Sequence, residues 1–503
     1  MAADPVELDK QQTSDITPGL SSKHDRRLLR RIDYYLMPLL CITYGLQYSD
    51  KTSLSSGVVF GLRADTHLVG QQYAMLSTLF YLGYLLAELP MSFALQRFPL
   101  GRFLSLTCVA WGTLVMCLGA CTDFTQLAAI RFLLGVCESA VTPGFLMISA
   151  CWYKRSEMTS RTLAWMAMNT VFSSFFGLVI YALAKRARDS DGLAAWRVIN
   201  LFLGACTVVD GLVLSVFLGT PNEVWWLSAD QKQAVRDRIA SNGNGDGAQR
   251  EWKWDQVKEC FKDPQIWLFF SFNIIATIPS GSLATFGPLV YVSFGFTNLE
   301  TILYALPNSA VALAWLLFVT LAIKKVPAAR FPLMVFSVLP PFIGLLSIGL
   351  LSTSTDKWLK WGLYTMTATF TVPTFLAWTL IPLNLAGRTK KTVISASTFI
   401  SYCAGQIIGT QVFRDDDAPR YVKGLTIISG IFGVQIIITI AWKLYYYFEN
   451  ARRDRAQVAA GISDQQNEAL NEEAGATDKT DLENRSFRYI WTEATSTARA
   501  WPA

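Results

Sequence analysis

Predominantly apolar runs of about twenty residues recur along the chain, separated by short polar stretches. They lie at 34–53, 71–95, 101–121, 124–150, 162–184 and 196–218, and again at 265–290, 301–323, 331–351, 358–380, 392–413 and 425–448. A helix rises about 1.5 Å per residue, so roughly 20 residues cover the 30 Å of hydrocarbon in a bilayer. Backbone in lipid must satisfy its own hydrogen bonds, which makes helices the natural form for such runs. The pattern predicts an all-α integral membrane protein with twelve transmembrane helices in two sets of six. The boundaries that follow are a cytosolic N-terminal tail at 1–31, a first set at 32–219, a cytosolic connecting loop at 220–264, a second set at 265–448 and a cytosolic C-terminal tail at 449–503.

Composition agrees with this reading and narrows it. Of 503 residues, 52% are hydrophobic and 16% charged, too few charges for a set of soluble domains. None of the polar stretches reaches the length of about 100 residues typical of a catalytic domain. The net charge of +6 is dispersed, so no nucleic-acid footprint is expected. Most of the nine cysteines fall inside apolar runs and none forms a C-x-x-C pair, and the only two histidines, His24 and His67, lie outside those runs. No metal or cofactor is therefore expected. Catalytic signatures such as a Walker A loop, a G-x-S-x-G elbow or an H-E-x-x-H helix are missing from the sequence. The chain is expected not to be an enzyme.

Lys23, Arg26, Arg27, Arg30 and Arg31 precede the first run, against Lys51 and Arg63 after it. By the positive-inside rule both termini face the cytosol, although Lys185, Arg186 and Arg188 fall on the outer side of this scheme. An internal repeat supports the division into sets: Gln96-Arg97-Phe98-Pro99-Leu100-Gly101-Arg102-Phe103 follows the second run, and Lys324-Lys325-Val326-Pro327-Ala328-Ala329-Arg330-Phe331 the eighth. Arg97, Arg102, Lys325 and Arg330 are the gating-loop candidates on the cytosolic side. The stretch Ser241 to Gly247 is rich in glycine and asparagine and reads as a flexible connector.

Charges inside apolar runs carry the functional expectation, because each costs roughly 2.5–3.5 kcal/mol at mid-bilayer and needs a partner or a water-filled cavity. Arg131 and Glu138 are seven residues apart, on one face of a helix but about 10 Å apart along it. Glu138 is the proton-coupling candidate, and Arg131 a candidate for substrate or charge-network contact. Asp50 and Lys51 are expected to form a gating or network pair. Glu88 and Asp210 are further buried acids. Pro143, Pro279, Pro288, Pro307, Pro373 and Pro382 interrupt the runs and are expected to bend or unwind helices around a cavity. Asn273, Asn308, Asn384, Tyr402 and Gln406 are candidates to line it, with Trp165 and Trp378 as walls. The acidic run Asp415 to Asp417 reads as a solvated outer loop beside Arg414 and Arg420.

Several motifs share their order and spacing with one family: Tyr84-Leu-Leu-Ala-Glu88-Leu-Pro90, Arg131 through Gly144, Thr220-Pro-Asn-Glu223 with Trp226-Leu-Ser, Trp252-Lys-Trp254-Asp-Gln256, Ile278-Pro-Ser-Gly281, and Gly405-Gln-Ile-Ile-Gly409 leading to Phe413-Arg414. Over residues 30–448 the chain resembles the allantoate permease family of fungal major facilitator transporters, within the anion:cation symporter group. The resemblance implies two six-helix bundles around a central site exposed alternately to each side, with Glu138 and Arg131 matching the group's charged pair. It departs from the family at Ser92, Gln406 and Thr410. The expected function is proton-coupled uptake of a small organic acid or amide nutrient, with protons and the lipid bilayer as partners, by a monomer in the plasma membrane. Export of a fungal secondary metabolite and nutrient sensing by a transceptor are the alternatives.

Overall fold

A computed structural model describes residues 22–189, 192–239, 252–326, 329–352 and 355–490. The glycine-rich connector 241–247 and the first 21 residues lie outside them. The first set comprises α1 (Ser22–Val59), the short α2 (Leu62–Asp65), α3 (Gln72–Arg97), α4 (Leu100–Leu118), α5 (Phe124–Glu138), α6 (Val141–Trp152), α7 (Arg155–Arg188) and α8 (Ala195–Phe217). The connecting loop contributes α9 (Ala229–Ile239) and α10 (Trp254–Lys262). The second set comprises α11 (Pro264–Ser293), α12 (Asn298–Lys325), α13 (Arg330–Leu350), α14 (Lys357–Thr365), α15 (Val372–Asn384), α16 (Arg388–Thr410) and α17 (Val422–Ala459), followed by α18 (Asp464–Ala476). No strand occurs among the described residues.

Every one of the twelve predicted runs falls on helix, and among the described residues ten helical spans, α5 and α6 counted together as Phe124–Trp152, are long and apolar enough to cross a membrane. The other two runs differ for reasons written in their residues. The membrane part of α1 carries Gln47, Asp50 and Lys51, and the run 358–380 is divided into α14, a 3-10 turn at Met366–Thr369, and α15. The prolines behave in two ways. Pro143 cannot donate to the carbonyl of Ser139, and Pro373 cannot donate to that of Thr369; the chain breaks between α5 and α6 and between α14 and α15 at those points. Pro279, Pro288 and Pro307, expected to act similarly, stay inside continuous helices α11 and α12.

Within the first set, α4 packs on α8, α3 on α5, and α1 on both α7 and α8; within the second, α11 packs on α16 and α17, and α13 on α17. The α3–α5 crossing is close because glycines face backbone. A Cβ at Gly135 would stand 2.0 Å from the carbonyl oxygen of Phe80, and one at Gly83 would stand 2.3 Å from that of Phe132. Small residues replace the hydrophobic drive that is missing between helices in lipid, where van der Waals contact does the work. The sets meet where α1 lies on α11, α3 on α16 and α7 on α12.

At one end of the molecule, the start of α1 meets the connecting loop: Arg31 donates to the Trp226 carbonyl at 2.7 Å, and buried Arg238 of α9 pairs with Asp25 at 2.7 Å and with Glu157. The C-terminal segment folds onto the same end of the second set instead of hanging free. Asp481 lies 3.0 Å from Lys390, Tyr489 and Asn450 exchange backbone-to-amide hydrogen bonds, and Ile490 does the same with Asn384. Asp481 and Tyr489 are fully buried. The segment read from its sequence as a tail is thus bonded to α10, α15, α16 and α17 at these points.

Candidate functional site

The polar residues of α1 recur at helical spacing. Thr43, Gln47 and Asp50 share one face, and α8 presents Thr207 and Asp210 to it. The two helices are joined by reciprocal bonds: Thr207 donates to Asp50 at 2.8 Å, and Thr43 donates to Asp210 at 2.7 Å, with the Cys108 thiol 3.9 Å from the same Asp210 oxygen. Neither aspartate forms an ion pair within 4 Å among the described residues, and two threonine hydroxyls supply their hydrogen bonds. The second oxygen of Asp50 is buried with no hydrogen-bond partner among the described residues.

Lys51, next in sequence, turns about 100° away from Asp50. The expected Asp50–Lys51 pair therefore does not form. Instead the Lys51 ammonium stands 3.9 Å from Glu138 Oε2 and lies over the rings of Phe80, Tyr81 and Tyr84 at 5.2, 5.8 and 5.8 Å. Such ring faces attract a cation and replace part of its lost hydration. Glu138 is the last residue of α5, directly before the proline-induced break. Gln47 donates to its main-chain carbonyl at 3.5 Å. Glu138 Oε2 makes no hydrogen bond among the described residues. Arg131 is equally buried, and its Nε and Nη2 also find no hydrogen-bond partner there. Arg131 makes no direct bond to Glu138 among the described residues, in keeping with about 10 Å of helical rise between them.

The rings under Lys51 reach the second set. Tyr81 meets Tyr402 edge-on at 6.4 Å, and Tyr84 stacks on Phe399 at 6.5 Å. Toward the end that holds Arg63, the sets are tied together. Thr78 and Thr410 hydroxyls are 2.7 Å apart, Gln411 donates to Thr78 at 2.7 Å, Tyr73 donates to the Thr285 carbonyl, and Arg63 pairs with Asp415 at 2.7 Å. Toward the opposite end of α3, Glu88 is half-buried with one oxygen lacking a hydrogen-bond partner among the described residues, and Leu89, Phe93 and Arg97 are exposed. The ties between Thr78 and Thr410, Tyr73 and Thr285, and Arg63 and Asp415 thus close the sets on the Arg63 side of Lys51 and Glu138.

The remaining candidates separate. Asn273 is held by Ser401 at 2.6 Å, by the Thr398 carbonyl at 2.9 Å and by the Trp378 indole at 3.0 Å. Asn384 anchors Ile490, away from Lys51. Gln406 donates to Ser280 at 3.0 Å, its carbonyl oxygen has no hydrogen-bond partner among the described residues, and Asn308 is partly buried on α12. Trp165 is buried against Tyr44 and Phe145. Arg97, Arg102, Lys325 and Arg330 make no ion pair among the described residues. What sequence reasoning missed is the set of neutral partners, Thr43, Gln47 and Thr207; the signal was the 43–47–50 spacing. It also missed Lys390, fully buried and 2.7, 2.7 and 3.0 Å from Glu259, Asp263 and Asp481. Those three carboxylates lie close enough together for a metal ion, but the lysine ammonium already supplies their cation. Burial pushes the Asp263 carboxyl above its ordinary range, and Lys390 pulls it back.

The Major Facilitator Superfamily model matches residues 40–410. An uncharacterized transporter of Schizosaccharomyces pombe is 34% identical over 92% of this chain and 89% of its own length. The allantoate permease of Saccharomyces cerevisiae is 32% identical over 94% of this chain and 87% of its own length. Among solved structures, a D-xylose-proton symporter superposes with a TM-score of 0.62 at 13% identity, covering 81% of this chain and 97% of that one, a likeness of fold.

Proposed function

This chain belongs to the Major Facilitator Superfamily, and from that premise we propose that it imports a small organic acid or amide nutrient together with a proton, by alternating access. The observation that carries the reading is the buried Glu138 carboxylate, with one oxygen free of hydrogen bonds and the Lys51 ammonium 3.9 Å away. A proton on Glu138 removes the partner of Lys51. The ammonium, held over three rings, then turns to the carboxylate of the cargo. One proton and one anion enter as a neutral pair, so the site crosses the low-dielectric interior without gaining charge. Arg131, with two unpartnered nitrogens, holds the local potential positive and biases the site toward an anion.

The halves that rock are 32–219 and 265–448, joined by 220–264, in a monomer of the plasma membrane with both termini in the cytosol. The common end shared by Arg31, the connecting loop and the C-terminal segment supports this placement. The similarity to allantoate permease supports the cargo class. Uptake of labelled allantoate and related ureido and carboxylic acids, measured in cells expressing the protein, is expected to rise as external pH falls. Glu138→Gln is expected to abolish both the pH dependence and accumulation against a gradient, while Lys51→Gln loses carboxylate cargo first. Uptake by the unaltered protein that ignores pH would remove proton coupling.

A further inference from the structure

α10 has two unlike faces. Taking about 100° per residue, Gln256, Glu259 and Cys260 fall on one side, and Trp254, Lys258 and Phe261 on the other. The first face is docked: Gln256 donates to the Asp478 carbonyl at 2.9 Å, Glu259 pairs with Lys390 at 2.7 Å, and Cys260 is buried. The second face is open. Trp254 and Phe261 are 68% and 67% exposed, and Trp267, whose indole donates to the Phe261 carbonyl at 3.0 Å, is 52% exposed. Exposed aromatic rings of this size are out of place in water, and α9 of the same loop offers the contrast: its exposed positions, such as Arg236 and Asp237, are polar.

Position says what covers the aromatic face. A single residue, Asp263, separates α10 from the membrane-crossing α11 and caps that helix by accepting from the Gln265 amide at 2.9 Å. α10 is therefore fixed at the rim of the bilayer. Tryptophan and phenylalanine settle at that depth, and lysines beside them meet lipid headgroups. Lys258 and Lys262 are exposed there, with Asp255 as the acid on that side. We propose that α10 is an in-plane anchor whose Trp254–Phe261–Trp267 face inserts into the adjoining leaflet and whose Lys258 and Lys262 bind anionic lipid headgroups. The buried Lys390 cluster holds the opposite face, so the anchor fixes the inner end of the second set at a set depth while the first set moves.

The test places a photoreactive benzoylphenylalanine at Trp254, at Phe261 or, as control, at Arg236 of α9 in the full chain. The protein is irradiated in phosphatidylcholine nanodiscs with and without phosphatidylserine. Lipid adducts are expected at 254 and 261 and not at 236. Phosphatidylserine is expected to be over-represented among them relative to its share of the bilayer. Neutralising Lys258→Gln and Lys262→Gln together should remove that excess, each lysine near an anionic surface being worth about a fivefold preference, without altering the gel-filtration profile. Adducts to a second copy, an absence of lipid adducts at 254 and 261, or an anionic excess that survives loss of both lysines would overturn the proposal.

Discussion

Replacing Lys390 with methionine gives the sharpest test of how the second set is held together. Lys390 is fully buried and reaches Glu259, Asp263 and Asp481 at 2.7, 2.7 and 3.0 Å, so one ammonium stands against three carboxylates, a net charge of −2 for these four groups. Methionine keeps most of the volume and leaves −3. Removing one partner of a buried ion pair costs about 3–5 kcal/mol because the other charge is left uncompensated. At about 2–4 °C per kcal/mol for a unit of 150–250 residues, the melting temperature should fall by about 6–20 °C. Asp481→Asn should do far less, since it brings the cluster to −1, keeps an amide able to hydrogen-bond, and leaves Lys390 two carboxylates. The assay is thermal unfolding of purified protein in detergent, followed by loss of the monodisperse gel-filtration peak.

The pH dependence gives a second reading of the same variant. Burial and the Asp481 charge already hold the folded-state pKa of Asp263 above its unfolded value, and loss of the ammonium removes the opposing pull, so protonation of Asp263 favours the folded form. The deficit of Lys390→Met should shrink as pH falls and grow as it rises. Equal losses for Lys390→Met and Asp481→Asn, or a deficit indifferent to pH, would refute the electrostatic account.

Two further outcomes follow from packing and closure. Cysteines at Arg63 and Asp415, whose native side chains pair at 2.7 Å, should be joined by a bifunctional methanethiosulfonate reagent that spans the removed side chains, halting uptake, with reduction restoring it; free turnover in the cross-linked protein would show that this end need not open. Gly135→Ala sets a methyl 2.0 Å from the Phe80 carbonyl oxygen, so α3 and α5 must part, at a cost of about 1–3 kcal/mol read as a lower melting temperature; an unchanged value would mean the crossing relaxes freely.

Local pattern determined a large share of this protein. Hydrophobic length predicted where the helices lie, because a bilayer admits little else, and the seven-residue spacing set Arg131 and Glu138 about 10 Å apart along one face. The charge of Asp50, Lys51, Arg131 and Glu138 within apolar runs marked them as residues in need of partners. Which partners they found was decided only in three dimensions. Lys51 turned from its neighbour Asp50 toward Glu138 on another helix, and one oxygen of Asp50 found Thr207, 157 positions away. Pro143 broke its helix while Pro279 did not, and a polar C-terminal stretch became buried structure around Lys390. A helix can be read from its own residues because its hydrogen bonds are local; an ion pair between helices depends on their rotation and depth, which the packing of every other helix sets.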